Sequence, residues 1–203
     1  MNKTDRLYTG ITRAAWGYFF LYFNVDINMG GNTVGLLPAF VGMALFLSAI
    51  ELLKEERRNL ALLRPFAVAL LVWYLAGWAA DIFGVSLDTR LPVISLLTSL
   101  AGMYFQFQLL TDFAALARTY VPDNPDLERR LLRWRTIQTV MLTILTVLVY
   151  IFDIVPEGGY GNLVLMYTML GAGIIQIIAG ICLMAALFAL RRAIGTENTG
   201  TEQ

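Results

Sequence analysis

The sequence predicts an all-α integral membrane protein with six transmembrane helices. Hydrophobic residues make up 58% of the 203 residues, and the mean hydropathy of +0.64 exceeds what a soluble domain needs. Fourteen of the fifteen Lys and Arg residues lie before the first apolar segment, after the last, or in every second gap; only Arg90 breaks this alternation. By the positive-inside rule, both termini are therefore expected in the cytoplasm.

Each apolar segment approaches the roughly 20 residues that a spanning helix requires. The first follows a basic stretch but lacks a small-residue cleavage site, so we interpret it as an uncleaved helix. Pro38 falls in the first turns of the second helix, where proline is tolerated, and Pro65 opens the third at a favourable position. The fourth extends beyond its apolar core, and the sixth is long enough to tilt or protrude. The expected helices cover residues 11–27, 34–53, 65–83, 91–119, 125–154 and 162–192.

A single transmembrane domain is thus expected over residues 1–194, with a disordered polar tail at 195–203. The fifth helix is expected to begin early, because Asp123 or Asn124 can cap a helix that enters through Pro125. Its first turns are amphipathic and rich in arginine, which predicts contact with anionic headgroups or with a partner protein. The arginines concerned are Arg129, Arg130, Arg133 and Arg135.

The odd-numbered helices share an ending. Asp26-Ile27, Asp81-Ile82 and Asp153-Ile154 each close an expected helix and precede a glycine-bearing loop. Three repeated helical hairpins in one orientation would give this pattern, as would chance coincidence in a chain rich in Ile and Gly, and the sequence leaves both open.

These aspartates suggest two interpretations. Asp26, Asp81 and Asp153 could form an acidic vestibule on the outer face that binds cations. Alternatively, each caps a loop or bonds to backbone amides, which is ordinary turn chemistry for Asp beside glycine.

Polar residues recur on single faces within the expected spans. Thr139, Thr143, Thr146 and Tyr150 follow one face of the fifth helix, and Gln106 and Gln176 lie deep in the fourth and sixth. They could line a polar path between helices, because polar groups at membrane depth are expensive and often mark pathways. The alternative is helix packing, in which such side chains bond across interfaces. Aromatic residues, Tyr22 among them, are expected near the membrane interfaces.

Composition excludes several functions. The chain has no histidine and a single cysteine, Cys182, so it lacks the usual general base and the commonest transition-metal ligand. No catalytic residue, cofactor or metal is therefore expected beyond the speculative outer cation site. The net charge is zero, and nothing favours nucleic acid.

The stretch Tyr18–Leu45 contains Ile27-Asn28, Leu37-Pro38 and Phe40-Val41-Gly42. It resembles an uncharacterised group of small multi-pass membrane proteins of Gram-positive bacteria, which carry an aliphatic run, a polar turn, then Leu-Pro and an aromatic residue before Ile-Gly. Ala39 departs from that group, where a polar residue is usual. The resemblance covers the first quarter of the chain and implies a bacterial cytoplasmic membrane, but no activity.

Two functions remain from the sequence. One is transport of a small solute or cation along the polar path. The other is a structural or regulatory role, in which the arginine-rich segment docks a membrane partner or anionic lipid. An intramembrane enzyme is a third and weaker hypothesis, since paired catalytic carboxylates at depth are missing.

Overall fold

Six long helices make up most of the molecule. The computed structural model describes residues 2–23, 26–29, 32–35, 37–152 and 160–200. The long helices are α1 (Lys3–Tyr22), α2 (Ala39–Leu53), α4 (Arg64–Ile82), α6 (Pro92–Tyr120), α7 (Pro125–Phe152) and α8 (Tyr160–Gly200). Two short helices, α3 (Arg58–Leu62) and α5 (Leu87–Arg90), and two short strands, β1 (Asp26–Met29) and β2 (Asn32–Gly35), lie between them.

Local chemistry sets several helix ends. The side chain of Asn2 caps α1 by accepting a hydrogen bond of 2.7 Å from the backbone N–H of Lys3, as Asn commonly does. Pro65 and Pro92 lie in the first turns of α4 and α6, where a missing N–H costs nothing. Gly84, directly after α4, adopts a φ of 69°, which a residue with a side chain rarely does.

The long helices form a closed ring in chain order. Each packs against the next, and α1 completes the ring by packing against α8. The packing is thinnest between α4 and α6. Apolar side chains fill most of the interior. There the ring of Phe46 from α2 meets the rings of Tyr18 from α1 and Phe105 from α6 at centroid distances of 4.8 and 5.6 Å.

Two glycines bring α1 and α2 unusually close. A Cβ atom added to Gly42 would lie 2.7 Å from the backbone oxygen of Gly17, and one on Gly17 would meet the ring of Phe46 at 2.9 Å. Small residues allow this approach in membrane helices, because dispersion contacts improve as the backbones near each other.

The connection between α1 and α2 corrects two expected helix boundaries. Helix α1 ends at Tyr22 rather than residue 27, and α2 begins at Ala39 rather than residue 34. In between, β1 and β2 pair antiparallel, with Asp26 opposite Gly35 and Met29 opposite Asn32. The sequence between the strands is Gly30-Gly31, a dipeptide that favours two-residue hairpin turns. Leu37 precedes a proline and so disfavours helix, which delays the start of α2.

Among the residues that the structure describes, four helices are long and apolar enough to cross a membrane: Arg64–Ile82, Pro92–Tyr120, Pro125–Val149 and Leu163–Gly195. Their outward surfaces are apolar, as the exposed fractions of Val72 (57%), Leu97 (60%) and Ile178 (52%) illustrate. Water would not favour such surfaces, whereas lipid does. The prediction of a multi-pass helical membrane protein is therefore confirmed. Helix α2 is apolar but has only 15 residues, and α8 continues to Gly200 through part of the expected disordered tail.

Candidate functional site

A cavity of about 480 Å³ opens between α4 and α6, at the end of the ring that carries the hairpin. We call it the acidic cavity, because Asp81 and Asp88 both line it. Aromatic residues and hydroxyl-bearing residues complete its wall. The principal lining side chains are Trp73, Tyr74, Trp78, Asp81, Asp88, Ser95, Thr98 and Ser99. The thin packing of α4 against α6 leaves room for it.

Several lining groups are held in place. Asp88 accepts a hydrogen bond of 2.8 Å from the Ser95 hydroxyl, which ties α5 to α6. The indole of Trp78 donates a bond of 3.1 Å to the backbone oxygen of Gly35 in β2 and meets the ring of Phe40 edge-on. The hairpin thus fixes one aromatic wall of the cavity. The sequence did not predict this aromatic wall, because it did not predict the hairpin.

A second cavity of about 460 Å³ lies on the other side of the start of α6, against α7. It shares Asp88, Ser95 and Ser99 with the acidic cavity. Its remaining wall is largely apolar, with Leu142, Leu145 and Val149 from α7. The polar start of α6 therefore contributes to the walls of two neighbouring cavities.

Four polar side chains meet at the centre of the ring, in what we call the glutamine cluster: Tyr22, Gln106, Gln138 and Gln176. The Tyr22 hydroxyl donates a hydrogen bond of 2.8 Å to Oε1 of Gln106. The amide nitrogen of Gln138 donates to both of these oxygens. Gln176 lies beside the same hydroxyl. The cluster joins α1, α6, α7 and α8.

The cluster is buried but incompletely satisfied. Gln106, Gln138 and Gln176 are only 9%, 2% and 6% exposed. Within the described part of the chain, Oε1 of Gln138 and both amide atoms of Gln176 lack a hydrogen bond of good geometry. Burying a polar atom without a hydrogen-bond partner costs about 1–3 kcal/mol of stability. Such an atom in a native structure therefore indicates a functional role or a hydrogen bond to water.

Tyr74 connects the acidic cavity with the glutamine cluster. Its side chain lines the cavity, and it lies close enough to interact electrostatically with Asp88 on one side and with Tyr22 on the other. Its hydroxyl also approaches α6, at 3.9 Å from where a Cβ of Gly102 would lie. One tyrosine of the cavity wall therefore lies within electrostatic range of the glutamine cluster.

The opposite end of the ring is closed by charged contacts. Asp112 in α6 is fully buried, accepts a bond of 3.3 Å from Gln108, and lies 3.8 Å from a guanidinium nitrogen of Arg57. Nearby, the ammonium of Lys3 lies 3.1 Å from the carboxylate of Glu56, to which Tyr120 also donates. These contacts tie the start of α1 and the end of α6 to the segment after α2.

The structure separates the residues predicted from sequence. Asp81 lies in the acidic cavity, half-buried. The backbone of Asp26 lies in β1, but its side chain is outside the described part of the structure, as are Asp153 and the side chain of Tyr150. Gln106 and Gln176 are both buried and both lie beside the Tyr22 hydroxyl.

The threonines of that hypothesis lie apart from the glutamines. Thr139 and Thr143 donate to carbonyl oxygens one turn earlier in α7, at 2.9 and 2.8 Å, which is common for threonine within helices. Thr146 instead lines the second cavity.

The arginine-rich start of α7 is also divided. Arg129, Arg130 and Arg133 are exposed. Arg135 turns inward, with its guanidinium 4.2 Å from the centre of the Phe107 ring and a hydrogen bond of 3.0 Å to Thr111. Only the first three remain available to an external anion.

The role of Gln138 was not predicted from the sequence, and Tyr22 was expected at a membrane interface rather than in the glutamine cluster. A signal for Gln138 existed, since Leu127, Leu131 and Gln138 are spaced by four and seven residues and share the buried face of α7. That face was overlooked because the threonines offered a longer polar stripe. No comparable sequence pattern indicated the position of Tyr22 along the membrane normal, because that position depends on where α1 ends.

No family model, curated protein or solved structure matches this chain.

Proposed function

We propose that this protein transports a small cationic solute across a bacterial cytoplasmic membrane. The observation that carries the proposal is the acidic cavity, with Asp81 and Asp88 in its wall and Tyr74 leading toward the buried glutamine cluster. Asp81 is half-buried, and a carboxylate that is partly shielded from water attracts a cation more strongly than the same group in open water. The exposed Asp88 adds a second negative charge. Buried amides then offer hydrogen bonds along the way inward.

The proposal includes a topology. The six long helices thread the membrane as three hairpins, in which α1 ends at the level of the glutamine cluster with Tyr22 and the strands β1 and β2 complete the outer side. Both termini are cytoplasmic, so the acidic cavity opens to the outside. Helices α1 and α2 lack the apolar length of the other four, but each is packed between two neighbours in the ring. Their polar groups can thus face protein rather than lipid. The bacterial location follows from the resemblance of Tyr18–Leu45.

In this scheme the two ends of the ring differ. The cavity end is open, and the basic end is closed by the ion pairs Lys3–Glu56 and Arg57–Asp112. Passage of the solute therefore requires these ion pairs to break. The solute also moves past the uncharged side chains of the glutamine cluster. Neutral amides suit this step, because a fixed charge there would hold a cation too tightly to release it. We propose neither an enzymatic reaction nor a cofactor.

Charge movement across proteoliposomes tests the proposal. Purified protein is reconstituted, and currents are recorded on a solid-supported membrane after rapid addition of Na⁺, K⁺, guanidinium or choline at constant ionic strength. We expect a saturable current with at least one cation and its loss in the variant Asp81→Asn/Asp88→Asn. Asp126→Asn is the matched control, because that carboxylate is 87% exposed at the other end of the ring. Absence of current with every cation would overturn the proposal.

Cysteine labelling tests the topology. Cys182 is the only cysteine, so Cys182→Ser provides a background free of thiols. In it, Ser86→Cys at the cavity end should react with an impermeant maleimide in intact cells, whereas Asn124→Cys should react only after permeabilisation. The reverse pattern would place the cavity on the cytoplasmic side.

A second function is supported by one observation. Arg129, Arg130 and Arg133 present three exposed guanidinium groups at the start of α7, a surface that suits anionic headgroups or an acidic partner. As a docking or regulatory subunit, the protein would bind vesicles or a partner through these groups and would carry no current. Co-sedimentation of nanodiscs with anionic vesicles, lost in Arg129→Gln/Arg130→Gln/Arg133→Gln, distinguishes the two.

A further inference from the structure

The acidic cavity combines two kinds of cation-binding group. Asp81 and Asp88 provide negative charge, while the indoles of Trp73 and Trp78 and the phenol of Tyr74 provide electron-rich rings. Aromatic faces attract organic cations, and quaternary ammonium groups are commonly bound by such rings. Small inorganic ions instead prefer several oxygen ligands at short range.

The cavity holds few charged ligands for a multivalent metal ion. Within the described residues, no group of three or more His, Cys, Asp and Glu side chains is placed to hold one. The cavity volume of about 480 Å³ lies in the range of sites for small organic ligands, roughly 300–1,000 Å³. A single dehydrated ion would leave most of this space unfilled.

Two lining groups are also fixed before any ligand arrives. The bond from Trp78 to Gly35 holds one indole, and the bond from Ser95 holds one carboxylate. Groups already held lose less conformational entropy on binding, which favours a ligand that contacts both a ring and a charge.

We infer that the acidic cavity binds a small organic ammonium ion, with its charge beside Asp81 and Asp88 and its alkyl groups against Trp73 and Trp78. This inference rests on the proposed function and names its substrate class. Methylated ammonium ions fit best, because they lose little hydration on entering an aromatic wall, whereas Na⁺ and K⁺ must give up strongly bound water.

Tryptophan fluorescence provides a direct binding assay. The chain has four tryptophans, and two of them line the cavity. The variant Trp16→Phe/Trp134→Phe leaves only those two as reporters. Choline and tetramethylammonium are titrated into this variant in nanodiscs, with Na⁺ and K⁺ at equal ionic strength as competitors. We expect a saturable change with both organic ions and no displacement by a tenfold excess of either metal ion.

Substitutions in the cavity wall separate the contribution of the aromatic rings to binding from that of the carboxylates. Trp73→Leu should weaken choline binding by about 5- to 30-fold, the range that a desolvated cation–π contact accounts for. The fluorescence of Trp78 still reports binding in this variant. Trp73→Phe keeps a ring and should recover most of the affinity. Asp88→Asn should weaken all cations alike. Leu97→Ala, at an exposed position of α6 outside the cavity lining, is the control and should leave binding unchanged.

The outcomes distinguish this inference from the proposed function. If Na⁺ or K⁺ binds and carries current while the organic ions do neither, the inference is wrong and cation transport stands. If no cation binds or carries current, both are wrong. Choline binding that is equal in Trp73→Leu and in the parent would place the ligand elsewhere and also overturn the inference.

Discussion

The hydroxyl of Tyr22 and the amide oxygen of Gln106 are joined by a hydrogen bond of 2.8 Å across the middle of the ring. Helices α1 and α6 stand opposite each other in the ring order, so this bond spans its interior. Gln138 from α7 donates to both oxygens. Polar side chains therefore link these helices inside the ring, and none of the four cluster side chains is among those that line the acidic cavity.

Removing the Tyr22 hydroxyl tests how much this closure stabilises the fold. Tyr22→Phe should lower the free energy of unfolding by about 0.5–2 kcal/mol, because hydrogen bonds between membrane helices contribute modestly and Gln106 keeps its bond from Gln138. Steric trapping in bicelles measures the change. Tyr104→Phe, at a side chain that is 52% exposed, should be near neutral. Equal effects of the two would mean that the buried bond contributes no specific stability.

The close approach of α1 and α2 makes a second prediction. In Gly42→Ala the new Cβ would meet the backbone oxygen of Gly17 at 2.7 Å, so the helices must separate, at a cost of about 1–3 kcal/mol. Gly171→Ala is the control, because a Cβ there meets nothing within 4 Å and alanine favours helix. We expect a lower thermal midpoint for the first variant and an unchanged or higher one for the second. A stable Gly42→Ala protein would contradict the close packing.

The long helices could be predicted from the sequence because they depend on the length and apolar composition of each segment. The apolar segments and Pro65 placed α4 correctly within one residue. The hairpin could not be read in the same way, since Asp26–Met29 is only four residues long and follows an aromatic run that continues the helical pattern. Its strands depend on pairing with each other and on the contact of β2 with α4.

The candidate site was predictable only in part. Gln106, Gln176 and Asp81 were selected because polar groups are costly in apolar segments. Which of these side chains come together depends on the order of the helices in the ring. The spacing of residues along one helix does not determine that order. The contact of Gln106 with Tyr22 and Gln138, and the shared cavity wall of Asp81 from α4 and Ser95 from α6, arise from that order.

The buried carboxylate of Asp112 gives a third prediction. Arg57→Gln would leave that charge without its cation, and we expect a loss of about 1–3 kcal/mol. The loss should be smaller than for a fully buried pair, because the Arg57 side chain is 32% exposed. The double variant Arg57→Gln/Asp112→Asn should be more stable than Arg57→Gln alone, as a double-mutant cycle in bicelles would measure. Arg58→Gln, at an exposed neighbour, is the control. Strict additivity would show that the two groups do not interact.

The contact between Lys3 and Glu56 makes stability depend on pH. Burial alone would raise the pKa of Glu56, but hydrogen bonds from Tyr120 and Lys3 outweigh it and lower the pKa below its ordinary value of 4.5. Hydrogen bonds with Tyr120 and Glu56 raise the pKa of Lys3 above 10.5. A lowered carboxyl pKa stabilises the fold above the unfolded value, and that contribution is lost as the pH falls through the folded value. A raised lysine pKa stabilises below 10.5 and is lost only at higher pH.

Both contributions are therefore present near neutrality, and acidification removes the contribution of Glu56. The thermal midpoint, measured from about pH 7 down to about pH 3, should fall as Glu56 takes up a proton. Glu56→Gln should start lower at neutral pH and lose less on acidification, whereas Asp126→Asn should follow the parent, because that carboxylate is 87% exposed. An identical acid profile in Glu56→Gln and the parent would show that this contact does not hold α1 to the segment after α2.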